Sequence, residues 1–89
     1  RSDRVFLGMH AVDVDSGFTS DFLPEIMTDR AILSIGRQVV VVVDHTKFGR
    51  VSSVLVAPVS AANIVVTDTN TSSKYVEKLT DLGVCVLLV

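Results

Sequence analysis

Short runs of β-branched and leucine residues alternate along this chain with segments whose apolar positions recur at helical spacing. Residues 5–8, 39–44, 64–68 and 84–89 are predicted strands, and they are continuously apolar instead of alternating. Strands read that way when helices cover both faces of a parallel sheet. Between the first two, residues 22–37 carry Phe22, Ile26 and Leu33 near helical spacing and are predicted to form a helix. Ser20 and Asp21 are its candidate N-caps, Pro24 is tolerable only in its first turn, and Gly36 sits where it should stop. A second helix is predicted over 73–82, with Tyr75, Leu79 and Leu82 as its buried stripe and Gly83 as its stop. Residues 45–63 read as a loop followed by irregular or short helical structure.

Alternation of this kind builds β-α-β units and a parallel sheet. Ligands of such sheets sit beyond the carboxyl ends of the strands. Here those ends are Gly8-Met9-His10, Asp44-His45-Thr46-Lys47 and Asp68-Thr69-Asn70, so three polar turns are expected along one edge. Periodicity gives a location, not a ligand.

Composition adds a constraint. Of 89 residues, 48% are hydrophobic and only 20% charged, and the mean hydropathy is +0.51. A unit of this size buries only about 60–65% of its unfolded surface, so polar residues should be abundant. No apolar run approaches the roughly 20 residues of a membrane helix, so no membrane partner is expected. The apolar excess points instead to a fragment or an oligomer, and the lack of an initiator Met or signal segment fits a fragment. A net charge of −2 argues against this piece gripping nucleic acid itself. The lone cysteine, Cys85, allows no disulfide framework within one chain, reads as buried core filler, and fits a reducing cytoplasm.

The run Val39-Val-Val-Val-Val-Asp44-His45-Thr46-Lys47-Phe48-Gly49-Arg50 resembles the strand-then-Asp-x-Ser/Thr-Lys-Phe-Gly signature of the C-terminal domain of the DeoR family. Val5-Phe-Leu-Gly8, Val12-Asp13 and Gly17-Phe18-Thr19 are similar to that family's glycine-ended strand and Gly-Leu/Phe-Thr turn. Arg30-Ala31-Ile32, Ala57-Pro58-Val59 and Ile64-Val-Val-Thr-Asp68 continue the likeness in order over nearly the whole chain. The resemblance implies a bacterial transcription regulator whose N-terminal winged helix-turn-helix reads DNA and whose C-terminal domain senses a phosphorylated sugar or related metabolite. Residues 1–89 would then be part of the effector-sensing domain, without the DNA-binding domain and without the first part of the sensor domain. The family's Asp-x-Gly-Thr-Thr-like phosphate loop belongs to that first part and has no copy here. The expected fold class is α/β, a mostly parallel Rossmann-like sheet flanked by helices, in a homo-oligomer that touches DNA only through the absent domain.

On this reading Lys47 offers a point charge to a phosphate, and Asp44 accepts hydrogen bonds from sugar hydroxyls or orients the lysine. Gly49 and Gly8 keep the backbone close to the ligand, while Thr19 and Glu25 face the sugar. Blander roles stand beside these: an exposed lysine is often merely solvated, and a strand-ending Asp often caps its own turn.

The DeoR sensor domain is similar in fold to ribose-5-phosphate isomerase, whose Ile/Val-Ala-Asp-x-Ser-Lys motif the same segment also resembles. Aldose–ketose isomerisation needs a carboxylate to move a proton and groups that stabilise an enediolate oxygen. The isomerase's Asp-Gly-Ala-Asp turn is matched here by Gly8-Met9-His10-Ala11, without an acid. Its Lys-Gly-Gly-Gly turn is matched by Ser16-Gly17-Phe18-Thr19, without a lysine. Glu25 falls where the enzyme's basic glutamate would, but without its partners. The pattern implies a binding domain and no enzyme. An isomerase-like enzyme fragment and a purely oligomerising domain remain as alternatives.

Other constellations are weaker. Asp13-Val-Asp15-Ser-Gly17 has its glycine one place early for a calcium loop, and Pro24 occupies the position of the required Glu. His10 and His45 lie in converging turns, but with no third ligand they read as solvated or hydrogen-bonded histidines. No cofactor and no metal are expected.

Overall fold

A computed structural model of the chain describes residues 3–35 and 37–89. Its elements are, in order, β1 (Arg4–Gly8), β2 (Ala11–Asp13), β3 (Gly17–Ser20), α1 (Leu23–Leu33), β4 (Gln38–Val42), β5 (Val54–Ala57), β6 (Ile64–Thr67), α2 (Ser73–Asp81) and β7 (Cys85–Leu88). Single 3-10 turns lie at His45–Lys47 and Val59–Ala61. The four continuously apolar runs form one parallel sheet in the order β1-β4-β6-β7. The chain is α/β.

A second, antiparallel sheet of order β2-β3-β5 accompanies it. Its strands have only three or four residues each. Residues 45–63 are therefore not loop and short helix alone, because β5 lies within them. The β2–β3 hairpin is closed by Asp13, whose carboxylate accepts hydrogen bonds from the backbone of Asp15 and Ser16 at 3.2 and 2.8 Å. Gly17 then enters β3 at φ +87°, where a Cβ would lie 2.6 Å from the Ala57 carbonyl oxygen. Only glycine takes that conformation without strain, and only glycine leaves room for β5.

Alternation along the strands gives the parallel sheet two different faces. Leu7, Val41 and Val65 stand in register, and all three are buried. They join Ile26 of α1, Leu79 of α2 and Phe18, Val56 and Ala57 of the small sheet in one core. The opposite face carries Gly8, Val42, Val66 and Leu87 in one row across the sheet, and Phe6 in the next. Phe6 is 67% exposed, Val42 47% and Leu87 48%. Val40, between Phe6 and Ile64 in that next row, is nevertheless buried at the centre of the sheet. Part of the apolar excess of the composition lies on this sheet surface, and part on α1 and β5, where Leu23, Met27 and Leu55 are exposed. Cys85 shares the sheet surface and is exposed, contrary to its expected role as core filler, because β7 is an edge strand with no neighbour above that side.

The helix ends differ from expectation in detail. The residue preceding α1 in the N-cap position is Phe22, with no side-chain cap, while Ser20 Oγ accepts from the Phe22 N–H at 3.2 Å. Ser20 thus braces the approach to the helix instead of capping it, and Pro24 occupies the first turn. The expected stop at Gly36 lies outside the described residues. Ser72 caps α2, accepting from the Lys74 N–H at 3.4 Å. Leu79 is fully buried and Tyr75 half-buried, but Leu82 is exposed because the helix ends at Asp81 and the chain leaves the core there. Gly83, at φ +87°, closes the helix as expected, with Val84 N–H bonded back to the Leu79 carbonyl at 3.0 Å.

Two outcomes follow from this packing. Gly17→Ala should lose about 1–3 kcal/mol from backbone strain alone, lowering the thermal midpoint by roughly 4–8 °C per kcal/mol; an unchanged midpoint would show that the β2–β3 turn can relax out of the positive-φ conformation and that β5 can retreat. The 89-residue chain should associate with increasing concentration in sedimentation equilibrium, since a contiguous apolar patch of this kind seeks cover. Phe6→Ser combined with Leu87→Ser should keep it monomeric.

Candidate functional site

Because β1, β4 and β6 are parallel, their carboxyl ends meet at one edge, and a cleft of about 740 Å³ opens there. Gly8, Met9 and His10 enter it from the end of β1, Asp44 and Lys47 from the turn after β4, and Asp68 from the end of β6. Glu25 and Asp29 of α1 form another wall, and Phe6, Val42 and Val66 continue the cleft onto the bare sheet face. The location derived from periodicity is therefore occupied by a real concavity.

The Asp44–Lys47 turn is self-supporting. Asp44 Oδ1 accepts from the Thr46 N–H at 2.8 Å and from the Thr46 hydroxyl, while Oδ2 lies 3.3 Å from Lys47 Nζ. The Thr46 hydroxyl, its backbone N–H and then the Lys47 ammonium hold the Asp44 carboxyl down to about 2. Asp44 thus caps its own turn and orients Lys47 at once, so both readings of this residue apply. The Lys47 side chain is 29% exposed, half sunk into the rim.

The neighbouring residue ties the turn to the sheet. Asp68 takes the His45 N–H on Oδ1 at 2.6 Å, and its Oδ2 lies 2.8 Å from His45 Nδ1. Burial pushes the Asp68 carboxyl up, but the bonds from His45 and from the Asn70 N–H outweigh it, and the carboxyl lies below its usual range. On the opposite wall His10 Nε2 contacts Glu25 Oε1 at 2.9 Å. Both histidines are therefore hydrogen-bonded to carboxylates. Among the described residues, no group of three or more His, Cys, Asp or Glu is arranged to hold a metal ion.

Of the six residues singled out in the sequence, Lys47, Asp44, Glu25 and Gly8 line the cleft. Thr19 and Gly49 do not. Thr19 is buried in β3, where its hydroxyl accepts from the Ser52 N–H at 2.7 Å and fixes the strand to the following loop. Gly49 turns away toward α2, donating to the Val12 carbonyl at 2.8 Å, and a side chain there would strike the Tyr75 hydroxyl. Asp29 was not singled out, yet it lines the cleft and is buried. Its spacing of four from Glu25 on one helix was the available signal, since such residues share a face. Burial, reinforced by Glu25, pushes its carboxyl up, and His10 offsets this only in part.

Four carboxyl groups, Glu25, Asp29, Asp44 and Asp68, thus face one ammonium and one imidazole in the cleft. Such a surface accepts hydrogen bonds from hydroxyls at many points and attracts an anion at one. Carbon NMR should place the Asp44 carboxyl titration near 2. Its stabilising contacts, present above its unfolded value, should be lost only as pH falls through that midpoint. Thr46→Val should return the midpoint toward about 3.9; an unmoved midpoint would exclude the threonine as the cause.

Residues 1–69 match the sequence model of a family described as the DeoR C terminal sensor domain. Among curated proteins, the glycerol-3-phosphate regulon repressor of Escherichia coli (strain K12) is 36% identical over 81 residues, covering 91% of this chain and 32% of that protein. The HTH-type transcriptional regulator GlpR of Haloferax volcanii is 32% identical over 85 residues, covering 96% of this chain and 33% of that protein. The putative aga operon transcriptional repressor of Escherichia coli O157:H7 is 28% identical over 87 residues, covering 98% and 32%. The chain spans about a third of the length of these relatives.

Proposed function

The chain belongs to the DeoR family of C-terminal sensor domains, and from that premise we propose that it binds a phosphorylated sugar or related metabolite whose occupancy controls DNA binding by a transcription repressor. The single observation that carries this reading is the Lys47 ammonium, held by Asp44 at the rim where three strand ends converge. Lys47 pairs with the phosphate, and Asp44 and Glu25 accept from the hydroxyls. Gly8 leaves the floor open, since a Cβ there would meet nothing closer than the Val42 carbonyl at 3.9 Å. The name of the glycerol-3-phosphate regulon repressor supports an effector of this class. A sensor is needed here and not a catalyst, in keeping with relatives named as repressors.

DNA is read by a part of the regulator outside these 89 residues, in a homo-oligomer acting in the cytoplasm. Effector binding moves the DNA equilibrium only by the difference in its affinity for the two states of the protein. The test is calorimetry on the full-length regulator with glycerol 3-phosphate, fructose 1-phosphate and fructose 6-phosphate. At least one should bind, and Lys47→Ala should weaken it about tenfold to a hundredfold, the range of a charged hydrogen bond. Binding that ignores Lys47→Ala removes this residue from the site.

A further inference from the structure

One carboxyl in the cleft has no hydrogen-bond donor among the described residues. Asp29 is 7% exposed. No donor among the described residues bonds its side chain, although Glu25 one turn earlier is engaged by His10. No fully enclosed side-chain oxygen is unpaired, so the Asp29 oxygens keep an opening, and the space they meet is the cleft. A carboxyl buried on every side but one, with its oxygens open only to the cleft, is placed to bond a donor arriving there.

Resting on the function proposed above, we propose that Asp29 receives a hydroxyl of the effector and makes the cleft select a polyhydroxy phosphate over a bare anion. The chemistry of the walls sets the polarity of the ligand. Lys47 stands on the turn after β4, whereas Glu25 and Asp29 stand on α1. An anionic head at the α1 wall would meet two carboxyl groups, so the head belongs at Lys47 and the hydroxyl-bearing chain at Asp29. A carboxyl whose ionised form is disfavoured by burial and by Glu25 suits this position, since it serves as acceptor or, protonated, as donor.

The experiment compares wild type, Asp29→Asn, Asp29→Leu and Lys47→Ala in the full-length regulator, using glycerol 3-phosphate, fructose 6-phosphate and inorganic phosphate as probes. Asp29→Leu should weaken the phosphate ester that binds by tenfold or more and leave inorganic phosphate unchanged; Asp29→Asn, which keeps an acceptor, should lose less. Both substitutions should raise the thermal midpoint, because they remove a desolvated carboxyl. Wild-type affinity in Asp29→Leu, with Lys47→Ala still impaired, would overturn the role of Asp29 and spare the function reading. A lowered midpoint in both Asp29 variants, with all probes equally affected, would make Asp29 a packing residue. Failure of wild type to bind either ester would overturn the function reading, and this assignment with it.

Discussion

Parallel pairing of β4 between β1 and β6 is the constraint on which the rest of the molecule depends. Parallel strands must all end on the same edge, so fixing the register of Val41 against Leu7 and Val65 also fixes where Gly8, Asp44 and Asp68 emerge. A slip of one residue would exchange the faces, exposing buried Val41 and burying Val42. Packing of Leu7, Val41 and Val65 into one core with Ile26 and Leu79 selects the register. His45 then ties the end of β4 to Asp68 through both its backbone and its ring. The cleft is in this sense a by-product of strand pairing, and its polar groups are placed by the core beneath it.

How much of this was legible in the sequence follows from which contacts are local. The four strands of the parallel sheet showed as unbroken β-branched runs because a central strand is recognisable by its own residues. The strands β2, β3 and β5 did not, since three or four residues with a glycine at the start of β3 carry no periodicity. They exist because Phe18 pairs with Ala57, nearly forty residues away. Lys47 and Asp44 were readable because their turn is built within four residues. Thr19 was misdirected for the opposite reason: which way a β3 side chain points is decided by its partners, and here the partner is the Ser52 N–H.

Two further residues show the same limit from the other side. Cys85 sits in a run that reads as core, yet its burial depends on something lying above its place on the second sheet face, and it is exposed there. Asp29 reads as an ordinary polar position on a helix, and only the approach of the strand ends to α1 turns it into a buried carboxyl. Neither fact is a property of the local sequence.

The balance of charge in the cleft explains why the lysine is held as it is. An ammonium among four carboxyl groups attracts anions weakly unless its nearest acid can release it without collapsing. Asp44 meets that condition, because Thr46 grips one of its oxygens through two bonds and only the other faces Lys47. On the proposed reading a phosphate would take Lys47 Nζ from Asp44 while the Thr46 bonds keep the turn intact. The freed carboxylate oxygen would then be open to a hydroxyl on the same ligand. A bare anion gains the ammonium but brings no donor to the carboxylates around it. On the proposed reading a phosphate ester of a polyol would bring both, and the acidity that makes this cleft a poor anion trap would make it a discriminating one.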